Sequence, residues 1–322
     1  MRAAILRELG DLPEPGEAPE PTPADGQVLV EVLAVPLNPI DVAVGAGRFY
    51  GGHPPLPCIP GCEAVGRTES GELVWVHGAG LGVKRSGCLA ERVAVPEDAL
   101  IPVPDGADPA VAGALGIAGL AGWLPFVWRA PVREGETVLV LGATGAVGRI
   151  LVQAARLHGA GRIVAAGRNE EGLARAVELG ADAAVRLGEG DDAERLRIAC
   201  EGEGPNLVGD PVWGEPLAAA IEVAAPGARL VNIGQSAGPE ATITSAAVRG
   251  KQLEVLGYSN FAVPREVLAD EYRRLVEHAV AGEVEVDVEE VPFEEVAEAW
   301  RRQSESPGRK LIVRIDTASK PA

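Results

Sequence analysis

The chain has 322 residues, and at about 100 to 200 residues per domain this length predicts two domains. It carries 29 Lys and Arg against 47 Asp and Glu, a formal net charge of −18, and no long segment is net basic. Because nucleic-acid binding requires clustered Lys and Arg that displace phosphate counterions, this balance argues against a nucleic-acid partner. A small-molecule substrate suits such an acidic protein better.

The cysteines and the N-terminus predict a cytoplasmic protein. Four cysteines are too few for a disulfide framework, and none forms a CxxC pair. Glu8 and Asp11 stand where an export signal would need apolar residues. The uncharged run 110–128 has the length of a membrane span, but it contains four glycines and a proline. We therefore expect a buried, closely packed helix followed by a break, and no membrane partner.

The order of predicted elements indicates an α/β protein with a β-rich first domain. Residues 1–110 have the pattern of strands and turns, since β-branched residues at 28–35 stand among stretches rich in Gly and Pro. From Glu134 strands and helices alternate, which is typical of a doubly wound parallel sheet. Its six strands are predicted at 137–141, 162–166, 183–186, 207–210, 228–233 and 253–258. Helices are predicted at 145–158, 170–179 and 191–199, then at 266–281 and 292–303.

A final strand is predicted at 310–315, after the parallel sheet is complete. This strand needs a sheet to join, and the sheet of the first domain is the candidate.

A glycine turn follows the first strand of the alternating region. Residues 138–148, VLVLGATGAVG, read as an apolar strand, a tight turn and the start of a helix. This context is typical of a dinucleotide site, in which the helix N-terminus holds the phosphates. The first glycine of GxGxxG is here an alanine, with a glycine one position earlier. The predicted cofactor-binding residues of the turn are Gly142, Ala143, Thr144, Gly145, Ala146, Val147 and Gly148.

The end of the second strand predicts which cofactor is bound. The strand is followed by Gly167, Arg168 and Asn169, with no carboxylate to bind a ribose 2′-hydroxyl. A guanidinium can pair with a 2′-phosphate through two hydrogen bonds, so we predict NADPH. The alternative is that Arg168 is a solvated loop residue. The segment Asn232, Ile233 and Gly234 follows the fifth strand, where backbone groups should meet the nicotinamide.

Six short motifs, in this order and spacing, resemble those of the medium-chain dehydrogenase/reductase superfamily, and within it the zinc-free quinone oxidoreductases, also called zeta-crystallin-like. They are NPID at 38–41, GCEAVG at 61–66, GLAGW at 119–123, DPV at 210–212, NIGQS at 232–236 and PGRKL at 307–311. The resemblance implies a GroES-like catalytic domain at 1–122 and 262–322, a Rossmann NADP-binding domain at 123–261, and a homodimer. The strand at 253–258 would form an exposed sheet edge where a second subunit could pair.

Zinc binding is the main alternative that the resemblance raises. Alcohol dehydrogenases of the superfamily hold a catalytic zinc with a Cys, a His and a Glu, and this chain offers Asn38, Cys62 and Glu63 at those positions. An amide is a poor zinc donor. Cys58 and Cys62 could form a tetrahedral site with His53 or Glu63, or they could be buried single thiols.

Without a metal, the hydride acceptor must already be electron-poor, as in a quinone or an α,β-unsaturated carbonyl. The predicted catalytic residues are Asn38 and Asp41, which could bind the substrate or a ribose, and Tyr50, whose phenol could donate to a carbonyl oxygen. Each also has a structural alternative, as a turn residue, a local cap and a lid residue respectively. The sequence thus predicts an NADPH:quinone oxidoreductase or enone reductase, with a zinc alcohol dehydrogenase or a non-catalytic NADPH-binding protein as alternatives.

Overall fold

The chain forms two compact units in a computed structural model that describes residues 1–315. One unit comprises Met1–Ile117 together with the residues from Tyr272 onward, and the other comprises Ala118–Glu271. The division expected from the resemblance, at 1–122, 123–261 and 262–322, lies close to these limits and stays a prediction. Its last seven residues, 316–322, lie outside the described residues.

Strands and helices follow one another in this chain order. The strands are β1 Arg2–Ile5, β2 Glu14–Glu17, β3 Gln27–Pro36, β4 Glu63–Thr68, β5 Leu73–His77, β6 Arg92–Pro96, β7 Leu100–Pro102, β8 Thr137–Leu141, β9 Arg162–Gly167, β10 Ala183–Arg186, β11 Leu207–Asp210, β12 Arg229–Asn232, β13 Glu254–Gly257, β14 Val288–Pro292 and β15 Lys310–Arg314. The helices are α1 Pro39–Gly45, α2 Pro109–Ala114, α3 Leu120–Leu124, α4 Ala146–Leu157, α5 Glu170–Glu178, α6 Asp192–Cys200, α7 Gly214–Val223, α8 Ser245–Lys251, α9 Arg265–Val280 and α10 Val296–Ser304.

The first unit is built on a largely antiparallel sheet. Its strands lie in the order β14-β15-β3-β4-β5-β7, and β6 also pairs with β3. The late strand β15 lies antiparallel to β3, with Val313 opposite Val35, which confirms that the C-terminal strand joins the sheet of the first unit. Valines and leucines of these strands, most of them completely buried, form its core.

Helix α1 was not predicted, because its seven residues are too few to show a helical period. Local chemistry nevertheless defines its start. Pro39 occupies the first turn, where its missing N–H costs nothing, and the Asp41 carboxylate accepts the backbone N–H of the N-cap residue Asn38.

The second unit is a six-stranded sheet in which every pairing is parallel. The order β10-β9-β8-β11-β12-β13 corresponds to strands 3-2-1-4-5-6 of this unit. The strand order proceeds from β8 toward one side of the sheet and from β11 toward the other. Ligands of such sheets bind in the crevice beyond the carboxyl ends of the two strands where the order reverses, here β8 and β11. With the β-rich unit, this sheet confirms the predicted α/β fold class. Strand β13 lies at its edge, as predicted.

The run 110–128 differs from the predicted helix, because the break lies inside the run. Gly116 has a ψ of −116°, which interrupts the helix between α2 and α3. A Cβ at this position would lie 2.6 Å from Trp75 Nε1, so only glycine fits against this side chain. The segment Pro109–Arg129 is long and apolar enough to cross a membrane, but 78% of its most apolar window is buried inside the protein. Such burial is typical of a core helix.

Candidate active site

The glycine turn at the end of β8 has the conformation and the space that a bound phosphate needs. Gly142 has a φ of +61°, a conformation that strains most residues with a side chain. At Gly148 a Cβ would lie 2.6 Å from the Cα of Ala143, so α4 packs directly on the turn. Gly145 is the N-cap of α4 and has no side chain to cap the first N–H groups. These N–H groups and the helix dipole can therefore bind an anion.

The loop after β9 lies beside this turn. A Cβ at Gly167 would lie 2.6 Å from Cγ2 of Thr144, so the two segments are in close contact. Asn169 caps α5, because its Oδ1 accepts the Gly172 N–H at 2.7 Å. Arg168 is exposed and has no hydrogen-bond or ion-pair partner in residues 1–315. Its guanidinium is thus available to a ligand phosphate.

The segment after β12 is held by a buried carboxylate that sequence reasoning did not assign. Asp210 is completely buried at the end of β11, and its Oδ1 accepts the Trp213 N–H at 2.7 Å. The Asn232 side-chain amide donates to Asp210 Oδ2 at 3.1 Å and to the Gly234 carbonyl at 2.8 Å. Burial raises the pKa of Asp210, while these donors lower it. Asn232 therefore shapes the loop that carries Ile233 and Gly234.

In the first unit, the structure brings two predicted catalytic residues into one buried polar cluster. Asn38 and Asp41 at the start of α1, Glu63 at the start of β4 and Lys310 at the start of β15 are each at most 3% exposed. Four polar side chains can be buried together only if they satisfy one another. Lys310 has no sequence signal other than its place in the PGRKL motif.

Glu63 accepts hydrogen bonds on both carboxylate oxygens. Asn38 Nδ2 donates to Oε1 at 2.7 Å, while Trp75 Nε1 and the backbone N–H of Ile117 each donate to Oε2 at 2.8 Å. The Ile117 N–H can donate because the chain leaves the helical conformation at Gly116. The break in the helix thus provides one of the hydrogen-bond donors to the buried carboxylate of Glu63.

Asp41 and Lys310 complete the cluster. Asp41 accepts the backbone N–H of Asn38 on Oδ2 at 2.7 Å and that of Cys62 on Oδ1 at 2.8 Å. Lys310 Nζ donates to the Leu37 carbonyl at 2.7 Å and to Asn38 Oδ1. Both polar atoms of the Asn38 side chain are therefore engaged by other residues of the protein.

Burial governs the ionisation of this cluster. It raises the pKa of Glu63 from 4.5 to about 7, although Lys310 and the three N–H donors lower it. Burial lowers the pKa of Lys310 to about 8, against the attraction of Glu63 and Asp41. The pKa of Asp41 is also raised by burial. Groups that change charge near neutral pH are thus concentrated in one place.

Tyr50 does not join this cluster. Its side chain is 86% exposed in the turn after α1, and its ring lies against Phe49 with the centroids 4.4 Å apart. Within residues 1–315, no hydrogen bond links Tyr50 to Asn38 or Asp41. Its predicted catalytic role stays a prediction.

Comparisons with known proteins agree with this architecture. Residues 24–105 match the family model for an alcohol dehydrogenase GroES-like domain, and residues 146–279 match the one for a zinc-binding dehydrogenase. A rat quinone oxidoreductase is 27% identical over 83% of this chain and 82% of its own length. The crystal structure of the Thermus thermophilus quinone oxidoreductase, determined also in complex with NADPH, is 33% identical. It superposes with a TM-score of 0.83 over 98% of this chain and 100% of that one.

The chain belongs to the quinone oxidoreductase family of the medium-chain dehydrogenase/reductase superfamily. It is an oxidoreductase, and its family supports a nicotinamide cofactor. The glycine turn, the N-terminus of α4 and the loops after β9 and β12 would hold this cofactor. A crystal structure described as an NAD-dependent alcohol dehydrogenase is also similar, with 26% identity and a TM-score of 0.86 over 98% of this chain and 100% of that one.

The residues at the superfamily's zinc positions do not fit a zinc ion in this family member. The Asn38 amide oxygen accepts from Lys310, and both oxygens of Glu63 accept from N–H groups. The alternative site also fails: His53 is exposed, while Cys58 and Cys62 are buried free thiols. No group of three or more His, Cys, Asp and Glu side chains in residues 1–315 is placed to hold a metal ion.

The raised pKa of Glu63 predicts how stability changes with pH. Between pH 4.5 and about 7 the folded protein retains a proton on Glu63 that the unfolded chain releases. The contribution of Glu63 is therefore most favourable below pH 4.5 and is lost as the pH rises through 7. Because Glu63→Gln cannot titrate, its free energy of unfolding should fall less between about pH 5 and 7 than that of the wild type.

Urea unfolding at several pH values measures this difference. The exposed Glu69→Gln is the matched control for the loss of one carboxylate. Equal pH dependence in the wild type and Glu63→Gln would show that Glu63 ionises normally.

Proposed function

We propose that this protein is an NADPH-dependent, zinc-independent oxidoreductase that transfers hydride to a quinone or an α,β-unsaturated carbonyl. The observation that carries the proposal is the bonding of Asn38 and Glu63. Their oxygens are engaged by N–H and ammonium donors, so they leave no ligand set for a Lewis acid. The acceptor must then stabilise the incoming charge itself.

The negative charge that develops on the acceptor during hydride transfer determines which acceptors can react. NADPH supplies the hydride, and one further proton converts a quinone into its hydroquinone. A quinone or an enone delocalises the charge that develops on oxygen, whereas a simple ketone concentrates it on one alkoxide. Asn38 and Asp41 are buried in the polar cluster of the first unit, and the exposed phenol of Tyr50 is the proposed proton donor.

Arg168 supports NADPH as the cofactor. It follows β9, its guanidinium is exposed, and the Thr144–Gly167 contact places its loop beside the glycine turn. The structure of the Thermus thermophilus relative was also determined in complex with NADPH, which supports this assignment. We also propose a cytoplasmic location, since the chain has few cysteines and those in residues 1–315 are free thiols.

Substrate screening tests the proposed reaction. With NADPH, the purified protein should reduce a benzoquinone or an enone, and an unactivated ketone should react at least about 100-fold more slowly, because no metal stabilises the alkoxide. Treatment with a chelator should leave the rate unchanged. Asn38→Ala and Tyr50→Phe should lower the rate and leave NADPH binding intact. Stoichiometric zinc with chelator-sensitive oxidation of a secondary alcohol would instead identify an alcohol dehydrogenase, and NADPH binding without any turnover would identify a non-catalytic protein.

The cofactor assignment has its own test. One charge-assisted contact to a 2′-phosphate is worth at least about tenfold in affinity, so Arg168→Ala should weaken NADPH binding about tenfold and leave NADH binding unchanged. Fluorescence titration of both cofactors measures this effect. Arg197→Ala on the exposed face of α6 is the matched control. Equal affinity of the wild type for NADPH and NADH would refute the assignment.

We further propose a homodimer formed along β13. In the described residues β13 pairs with β12 alone, and Val255 in this edge strand is 42% exposed. A twofold axis beside β13 would extend the sheet across two subunits. Sedimentation at micromolar concentration should give twice the chain mass of 33.3 kDa, and Val255→Lys should shift the protein toward the monomer. A wild-type monomer would exclude this interface.

A further inference from the structure

The buried cluster of the first unit contains one cation, the ammonium of Lys310. This side chain opens β15, is 3% exposed, and donates to the Leu37 carbonyl and to Asn38 Oδ1. Within residues 1–315 the ammonium forms no direct ion pair with a carboxylate. A buried cation is stable only when its charge is compensated, so its counter-charge must act through another group.

That group is the side-chain amide of Asn38. Its oxygen accepts from Lys310, and its nitrogen donates to Glu63 Oε1 at 2.7 Å. The amide therefore connects a buried ammonium to a buried carboxylate, with the positive end of its dipole toward Glu63. Glu63 and Asp41 raise the pKa of Lys310 against the effect of burial, which supports electrostatic coupling across this bridge.

The two charges allow only one orientation of the amide. If the amide of Asn38 were turned over, its NH₂ group would face the Lys310 ammonium and its oxygen would face the Glu63 carboxylate. Both contacts would be repulsive. Lys310 and Glu63 together thus fix the orientation of the Asn38 amide.

Asn38 also carries the start of α1. Its backbone N–H donates to Asp41 Oδ2, and Asp41 Oδ1 in turn accepts the Cys62 N–H beside Glu63. A displacement of Asn38 would therefore alter the hydrogen bonds that hold Asp41 and the start of β4. Lys310 lies at the other end of this series of hydrogen bonds, and it is more than 200 residues from Asn38 in the sequence.

We propose that Lys310 is a positioning residue for the reaction, since it serves as the internal counter-ion of Glu63 and fixes the Asn38 amide together with the start of α1. The proposal rests on the proposed quinone or enone reduction for its effect on turnover. It does not require Lys310 to touch substrate or cofactor. Its effect on the reaction is exerted through the position of Asn38.

A double-mutant cycle tests the counter-ion role. Lys310→Met removes the ammonium and keeps an unbranched side chain, while Glu63→Gln removes the carboxylate and keeps its shape. Each single variant leaves one buried charge without its partner, so its urea midpoint should fall well below that of the wild type. The double variant contains neither charge and should recover most of the loss. Lys84→Met, an exposed lysine, is the matched control and should keep the wild-type midpoint and turnover.

Turnover distinguishes positioning from a purely structural role. In the double variant stability returns, but the Asn38 amide has lost the two charges that orient it. We expect kcat for quinone reduction to stay about 10- to 100-fold below the wild-type value, because small displacements in an active site have effects of this size. The Kd for NADPH should change less than about twofold, since Lys310 donates its hydrogen bonds to Leu37 and Asn38 and to none of the proposed cofactor-binding residues.

The results that would overturn the proposal differ for its two parts. A Lys310→Met midpoint equal to that of the wild type, or a double variant no more stable than the single ones or unable to fold, would overturn the counter-ion role. Recovery of kcat together with stability in the double variant would show that Lys310 acts only on folding. If the wild type reduced no quinone or enone, the proposed function would fail, and with it the effect on turnover, while the urea midpoints would still decide the counter-ion role.

Discussion

The burial of opposite charges at the start of β4 and β15 is the constraint on which the first unit depends. Glu63 and Lys310 are removed from water, and the side-chain amide of Asn38 forms a hydrogen bond with each of them. Other features of the unit serve this arrangement. Trp75 donates its indole N–H, and the chain leaves the helical conformation at Gly116 so that a backbone N–H also reaches the carboxylate. A break that would weaken an isolated helix is stabilised here by a buried charge.

The second unit depends on close approach of the backbone. Gly142, Gly148 and Gly167 are required because a Cβ at any of them would lie within 3 Å of neighbouring atoms. Because these three residues have no side chain, the turn after β8, helix α4 and the loop after β9 can lie close together at the carboxyl ends of the strands. The proposed dinucleotide site would therefore consist mainly of backbone N–H groups, and Arg168 and the loop after β12, which Asp210 holds, would add side-chain contributions.

The sequence was most informative where a local pattern repeats or where glycine is indispensable. The six strands of the parallel sheet were predicted within a few residues, because apolar strands and amphipathic helices alternate regularly there. Helix α1 and strand β14 were missed, since seven and five residues carry too little periodicity. Among the candidate catalytic residues, Asn38 and Asp41 meet in one cluster, whereas Tyr50 lies apart from it on the surface.

By itself, the sequence determined the α/β class, the glycine turn and the motifs with their order. It could do so because each strand, helix, turn and motif is formed by residues close together in the chain. Only the tertiary structure decided what surrounds Asn38. Its partners Glu63 and Lys310 lie 25 and 272 positions away, and their pairing requires β15 to lie beside β3. No local pattern encodes such a contact, since it exists only after two distant strands have formed one sheet and excluded water from the charges between them.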